Sequence, residues 1–288
     1  MAFYLELNPA LRIRAGYWPG GARGTVFVLP GRTEYIEKYF ETVGELRARD
    51  FSVAVIDWRG QGASTRLLPN PLKGHVGDFA EYLADFGALL EALEAEAPKP
   101  YVLLAHSMGG DIALRALSQG PRFAGAVLSS PMLGLAQLQL IAEALASIWP
   151  SEAFLPGGAK FDPYAEPFKD NPVTRDEGRF LRNLEIIKAH RALALGMPTG
   201  GWLKAALHSN RVVGNGAFLA RINVPVVILT AERETLVSNS AGARAASHLP
   251  QGAQFMIAGA YHELLQERDS LRAEVWRQID ALMARLAH

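Results

Sequence analysis

Tyr101-Val102-Leu103-Leu104-Ala105-His106-Ser107-Met108-Gly109-Gly110-Asp111-Ile112 joins an apolar, strand-like run to a helical pattern with no room for a loop between them. The run ends abruptly at Ala105-His106-Ser107-Met108-Gly109, and Ile112, Leu114, Ala116 and Leu117 then recur at helical spacing. A strand, a sharp turn and a helix in this order lift a serine hydroxyl clear of a sheet edge, which is the geometry of a nucleophile elbow. Small residues must stand two positions to either side of the serine, because strand and helix backbones come very close. Ala105 and Gly109 meet that need by size, although the first is not glycine.

Outward from the elbow, short apolar runs alternate with helical patterns, the mark of an α/β fold with a mostly parallel sheet. Strands are predicted at Leu11–Trp18, Thr25–Leu29, Ser52–Ile56, Tyr101–Leu104, Gly125–Leu128, Pro225–Leu229 and Gln254–Ile257. Phe79, Tyr82, Leu83, Phe86, Leu89, Leu90 and Leu93 form one helical stripe, and Leu271, Val275, Ile279, Leu282 and Leu286 another; both read as core packing.

The alternation fails between about Pro131 and Arg221. Helical stretches (Leu135–Ile148, Arg179–Leu195) mix there with turns such as Leu155-Pro156-Gly157-Gly158 and Asn171-Pro172. Aromatics of exposed type collect in the same region: Trp149, Phe154, Phe161, Tyr164, Phe168 and Trp202. Residues 131–221 are therefore expected to form a helical cap inserted into a core made of 1–130 and 222–288. Leu138, Leu140, Ile141, Leu145 and Ile148 would line an acyl pocket, touch a bilayer surface, or form the cap's own core.

At 288 residues one large core with an insertion is expected. Lysine plus arginine equals aspartate plus glutamate at 29 each, so no global charge points to nucleic acid. The chain has no cysteine, which removes disulfides, thiolate metal sites and a thiol nucleophile. Its first residues show no basic segment followed by an apolar run. The apolar stretch Leu133 to Trp149 is broken by Gln137, Gln139 and Glu143. A cytoplasmic protein, at most peripheral on the membrane, is the expectation; oligomeric state is left open.

A serine hydroxyl becomes a nucleophile only when a base takes its proton and a third group orients that base. In folds built on such an elbow, the chain order is nucleophile, acid, histidine. His262 follows the last predicted strand and precedes the last helix, the expected place for the base. His106 is read as an elbow side chain that packs or hydrogen-bonds. His75, His190, His208, His248 and His288 are read as surface or structural. The acid should follow Pro225–Leu229, where Glu232 and Glu234 compete; two apart in an extended loop, they point in opposite directions. Glu234, next to the anchoring Leu236-Val237, is the choice, with Glu232 as the alternative.

The oxyanion formed by attack on a carbonyl needs fixed donors. The Met108 N–H at the start of the elbow helix is one candidate. The Arg32 N–H in Pro30-Gly31-Arg32-Thr33 is the other, unless that segment is an ordinary Pro-Gly turn. Asp57-Trp58-Arg59-Gly60-Gln61-Gly62-Ala63-Ser64 lacks the lysine of a phosphate loop and the third glycine of a dinucleotide fingerprint, so it reads as a structural turn near the elbow. No set of histidines and carboxylates has metal-ligand spacing, and no metal or other cofactor is expected.

Leu29-Pro30-Gly31-Arg32-Thr33-Glu34, Ile56-Asp57-Trp58-Arg59-Gly60-Gln61-Gly62, the elbow, Ala231-Glu232-Arg233-Glu234 and Gly259-Ala260-Tyr261-His262-Glu263 carry a resemblance. Together they resemble bacterial lysophospholipases related to monoacylglycerol lipases, serine hydrolases of the α/β-hydrolase superfamily. The likeness spans nearly the whole core and keeps the motifs in order. It implies an eight-stranded core, a helical cap, no cofactor, and cleavage of an ester in a singly acylated glycerolipid. Carried over by position, Ser107 is the nucleophile, His262 the base and Glu234 the acid, with Arg32 and Met108 forming the oxyanion hole. Monoacylglycerol lipases typically have His-Gly in the oxyanion loop and an aspartate acid; Pro30-Gly31 and a glutamate follow the lysophospholipase branch. The cap does not match, so substrate choice stays open. A small-ester esterase, an amidase or an acyltransferase would use the same residues, and an inactive binding protein is the reading outside enzymes.

Overall fold

A computed structural model describes residues 2–136 and 139–286. In chain order the elements are β1 (Ala2–Asn8), β2 (Leu11–Trp18), β3 (Thr25–Leu29), α1 (Phe40–Ala48), β4 (Ser52–Ile56) and α2 (Phe79–Leu93). Then come β5 (Tyr101–His106), α3 (Met108–Leu117), β6 (Gly125–Ser129), α4 (Gln139–Ile148), α5 (Glu177–Ala189), α6 (Gly200–Val213) and α7 (Gly216–Leu219). The chain closes with β7 (Val226–Ala231), α8 (Asn239–His248), β8 (Gly252–Ile257) and α9 (Asp269–Arg285).

The eight strands make one sheet in the order β1-β2-β4-β3-β5-β6-β7-β8. β2 pairs antiparallel with β1 and with β4; all other neighbours are parallel. β3 to β6 are buried along their whole length, as strands covered on both faces must be. Successive side chains divide between the faces. Phe27, Leu29, Ala54, Ile56, Leu103 and Ala105 share one core with residues of α2, α3 and α6. Val26, Val28, Val53, Val55, Val102 and Leu104 share the other with α1 and α9. Burying each such side chain stabilises the fold by roughly 1.5–3 kcal/mol before chain entropy is counted.

Both helical stripes read from the sequence face these cores. In α2, Phe79, Tyr82, Phe86, Leu89, Leu90 and Leu93 are buried. That helix starts on a capping box, the Asp78 carboxylate accepting from the Ala80 N–H and Glu81 reaching back to the Asp78 N–H. The seven predicted strands are all present. The eighth, β1, escaped the residue-level reading although Phe3, Leu5 and Leu7 alternate and pack against the core. It is an edge strand, half-buried on one face only, with Tyr4 and Glu6 turned outward.

From β3 the chain steps to β4 on one side of the sheet and later passes through β5 and β6 on the other. The loops after β3 and β5 therefore diverge, opening a crevice at the carboxyl ends of these strands. The segment between β6 and β7 meets the β3 loop where Arg32 Nη2 donates to the Gly196 carbonyl, and among the described residues it holds helices and two isolated bridges. α6 went unread in the sequence, and it joins the main core through Trp202, Ala205, Ala206 and Val213. Trp202 is thus not an exposed aromatic: it is 4% accessible and lies against Phe79. Ala142, Leu203 and Leu207, with Leu145 and Leu155 beside them, form a small separate cluster between α4 and α6. Ile141 and Ile148 on α4 remain exposed. Leu138, the Leu140 side chain and His288 lie outside the described residues.

Candidate active site

β5 extends two residues past its predicted end, to His106, and the helix α3 begins at Met108. Ser107 alone makes the turn, at φ +49° and ψ −116°, a backbone conformation an L-residue holds only under constraint. The constraint is visible on both sides. The Ser107 N–H donates to the Ser129 carbonyl at 3.0 Å, and its carbonyl accepts from the Met132 N–H at 2.9 Å. A Cβ at Gly109 would stand 2.1 Å from the Leu29 carbonyl oxygen, so only glycine lets α3 approach β3 this closely.

His262 lies on the loop after β8, nearly buried. Its Nε2 is 3.1 Å from Ser107 Oγ and its Nδ1 is 2.7 Å from Glu234 Oε2. The other oxygen of Glu234 accepts from the backbone N–H groups of Leu236 (2.8 Å) and Val237 (3.3 Å). Burial raises the Glu234 pKa, but the hydrogen bond and charge of His262 and these two N–H groups outweigh it and hold the carboxyl below its ordinary value. With the carboxylate able only to accept, Nδ1 carries the proton and Nε2 faces the serine as a base. Glu232, the competing residue, is exposed and accepts from the Gly259 N–H at 2.8 Å, away from His262. The structure brings Ser107, His262 and Glu234 together and leaves Glu232 outside.

His106 is the elbow side chain expected. Its Nδ1 lies 3.1 Å from the Ser129 carbonyl and its ring 4.8 Å from that of His262. Burial lowers its pKa against the opposing pull of Glu34, so a neutral ring donates from Nδ1. Among the other histidines, His75 is half-buried against Thr199 Oγ1 at 3.0 Å, while His190, His208 and His248 are exposed.

The Met108 N–H opens α3 and has no acceptor within the helix. Gly31 brings the β3 loop against the elbow: a Cβ there would lie 3.2 Å from the Ser107 Cβ. The Arg32 N–H follows on that loop. Behind it sits a buried polar set that the sequence reading missed. Glu34 accepts from the Gly31 N–H and the Tyr39 hydroxyl, and Lys38 Nζ bridges Glu34 (3.0 Å) and Glu263 (2.6 Å). Burial works against the Glu34 charge, yet the Lys38 charge, the Tyr39 hydroxyl and the Gly31 N–H hold its pKa down at about 2. The spacing of Glu34 and Lys38 was the available signal, since four residues apart is ion-pair reach on one turn of helix.

The turn at Asp57 to Ser64 buttresses the same loop. Trp58 Nε1 donates to the Pro30 carbonyl at 2.9 Å, and Gln61 Oε1 accepts from the Thr33 N–H at 2.8 Å. Asp57 binds the Ile36 and Ala63 N–H groups and the Arg14 guanidinium.

Residues 20–269 match the family described as serine aminopeptidase, S33. The chain belongs to that family. Lysophospholipase L2 of Escherichia coli K12 is 34% identical over 265 residues, covering 86% of this chain and 76% of that protein. The human monoglyceride lipase is 32% identical over 123 residues, 41% of this chain and 38% of the other. A soluble variant of the Saccharomyces cerevisiae monoglyceride lipase, solved with a substrate analogue, superposes with a TM-score of 0.77 at 19% identity. That match covers 99% of this chain and 96% of that one. This S33 member is a serine hydrolase acting on ester bonds, built on the α/β-hydrolase fold.

Proposed function

We propose that the protein hydrolyses the single acyl ester of a lysophospholipid, or of a monoacylglycerol, through an acyl-enzyme on Ser107. The observation that carries this reading is the hydrogen-bonded series Ser107 Oγ, His262 and Glu234, spanning 3.1 Å and 2.7 Å. His262 Nε2 takes the hydroxyl proton as Oγ attacks the ester carbon, and the Glu234 carboxylate stabilises the imidazolium formed. The N–H groups of Met108 and Arg32 receive the oxyanion, an interaction that strengthens as charge develops. Collapse expels the glycerol oxygen, which takes the proton back from His262. Water then repeats the sequence on the acyl-enzyme and releases the fatty acid.

The substrate class rests on the relatives named lysophospholipase and monoglyceride lipase. In this reading, residues 131–221 form the lid that excludes water and shapes the acyl site. The exposed Ile141 and Ile148 of α4 give the lid an apolar contact for a lipid aggregate, making membrane association peripheral. Among the described residues no helix is long and apolar enough to cross a membrane. The test is a panel of lysophospholipids, monoacylglycerols and p-nitrophenyl esters of rising chain length. Turnover of long singly acylated lipids supports the reading; activity confined to short esters or amides would replace it.

A further inference from the structure

Arg32 follows the glycine that touches the elbow, and among the described residues no carboxylate meets its guanidinium. Its guanidinium lies 5.2 Å over the Trp202 ring, with Nη2 donating to the Gly196 carbonyl at 2.8 Å. Nε is buried without a partner, and among the described residues Arg32 makes no ion pair. Arg14, Arg59 and Arg272 are each met by carboxylates. Arg66, which also reaches the segment between β6 and β7, has three carbonyl acceptors, on Gly60, Ala192 and Ala194. Arg66 shows what a guanidinium used only as a clamp looks like here. Arg32 has one carbonyl, an aromatic face and unspent donors. Burial lowers its pKa to about 10, as it does that of Arg66, and at Arg32 only Tyr82 opposes the shift.

A partly buried guanidinium left this way gains from a ligand that brings the counter-charge. Its position narrows what that ligand is. Gly31, the preceding residue, touches the elbow, so the Arg32 side chain departs from the loop that borders Ser107. A monoacylglycerol has no charge to offer there, whereas a lysophospholipid carries a phosphodiester. We propose that the Arg32 side chain is an anion subsite that takes the headgroup phosphate of a lysophospholipid and selects it over a neutral monoacylglycerol. Planar, delocalised and rich in donors, a guanidinium suits phosphate oxygens better than an ammonium does. The inference rests on the ester-hydrolase reading above and adds the residue that sets headgroup choice.

The test compares the wild type, Arg32→Met and Arg32→Lys on 1-palmitoyl lysophosphatidylcholine, 1-palmitoylglycerol and p-nitrophenyl butyrate. Both variants keep the backbone N–H, and thermal melts establish that they fold. Arg32→Met should lower the kcat/KM ratio of lysophospholipid to monoacylglycerol by about tenfold or more, through KM, with partial recovery in Arg32→Lys. On the wild type, sn-glycerol 3-phosphate should inhibit p-nitrophenyl butyrate hydrolysis where glycerol and butyrate do not, and Arg32→Met should lose that inhibition. An unchanged ratio, or a wild type indifferent to glycerol 3-phosphate, overturns the phosphate subsite. Butyrate inhibiting as well as glycerol 3-phosphate would assign the guanidinium to the product carboxylate and overturn it too. A wild type inert towards all three esters would instead remove the ester-hydrolase reading itself.

Discussion

The sheet core and the segment between β6 and β7 differ in how much of their hold is apolar packing and how much is polar contact. In the core, β3 to β6 are buried throughout and divide their side chains between two apolar layers, so a shift of one residue would invert every strand. The elbow inherits that rigidity, with Gly109 against Leu29 and Ser107 pinned to Ser129 and Met132. The helical segment joins that core through Trp202, Ala205, Ala206 and Val213 of α6 and adds polar ties beyond it. Asp111 in α3 accepts from Ser209 and Asn210 of α6, Arg66 binds the carbonyls of Ala192 and Ala194, and Arg179 of α5 binds Glu41 and Asp269. Chemistry thus sits where packing over-determines geometry. The segment between β6 and β7 adds side-chain ties outside that core, each open to separate change.

That contrast is broken most directly in the core. Ser107→Ala should cost at least about 10³-fold in turnover, while the melting temperature stays close to that of the wild type because no packing is lost. Activity retained in that variant would take the nucleophile away from the elbow. Next comes the paired comparison of Glu234→Gln and Glu232→Gln on p-nitrophenyl butyrate. About 10²-fold or more should be lost in the first, which no longer holds the His262 cation, and twofold or less in the second. Equal effects would mean that the 2.7 Å contact is not what orients the base.

A smaller loss, about tenfold in kcat with KM little changed, is expected for Glu34→Gln. That substitution weakens the hold on the Gly31 loop without removing an oxyanion donor, whose loss would cost about 10²–10³. A change confined to KM would give Glu34 a binding role instead. The smallest effect concerns how the covering segment is fastened. Burial pushes the Asp111 carboxyl up to about 7 against hydrogen bonds from Ser209 and Asn210 and the charge of Arg115. A carboxyl raised above its unfolded value contributes stability that is complete below that unfolded value and is lost as pH rises through about 7. The wild-type melting temperature should therefore fall by a few degrees between pH 5 and pH 8, and Asp111→Asn should flatten that slope. Parallel profiles for the two proteins would contradict the buried-acid clamp.

The same division explains what could be read before the structure. Fully buried strands carry continuous apolar runs, and β3 and β4 fall on the residues expected for them, as does the partly exposed β2. Ser107, Glu234 and His262 stand on the turns and loops after β5, β7 and β8, where the chain order leads to the roles expected for them. β1 was not readable, since an edge strand buries only Phe3, Leu5 and Leu7. α6 opens on Gly200-Gly201 and buries mainly small residues beside Trp202, so its periodic apolar signal is weak. In the set around Glu34, Lys38 and Glu263, the spacing of Glu34 and Lys38 is local, whereas Glu263 joins them from more than two hundred positions away, which no local pattern announces. Likewise the unanswered charge of Arg32 is a property of its surroundings and not of its neighbours in the chain.

The proposed reaction turns on Ser107 forming the covalent acyl intermediate. Long-chain fluorophosphonate labelling followed by peptide mass spectrometry tests it in one measurement. One adduct per chain, on the peptide containing Ser107 and absent from Ser107→Ala, is the predicted result. A folded wild-type protein that takes no label, or takes it on another residue, would contradict the account.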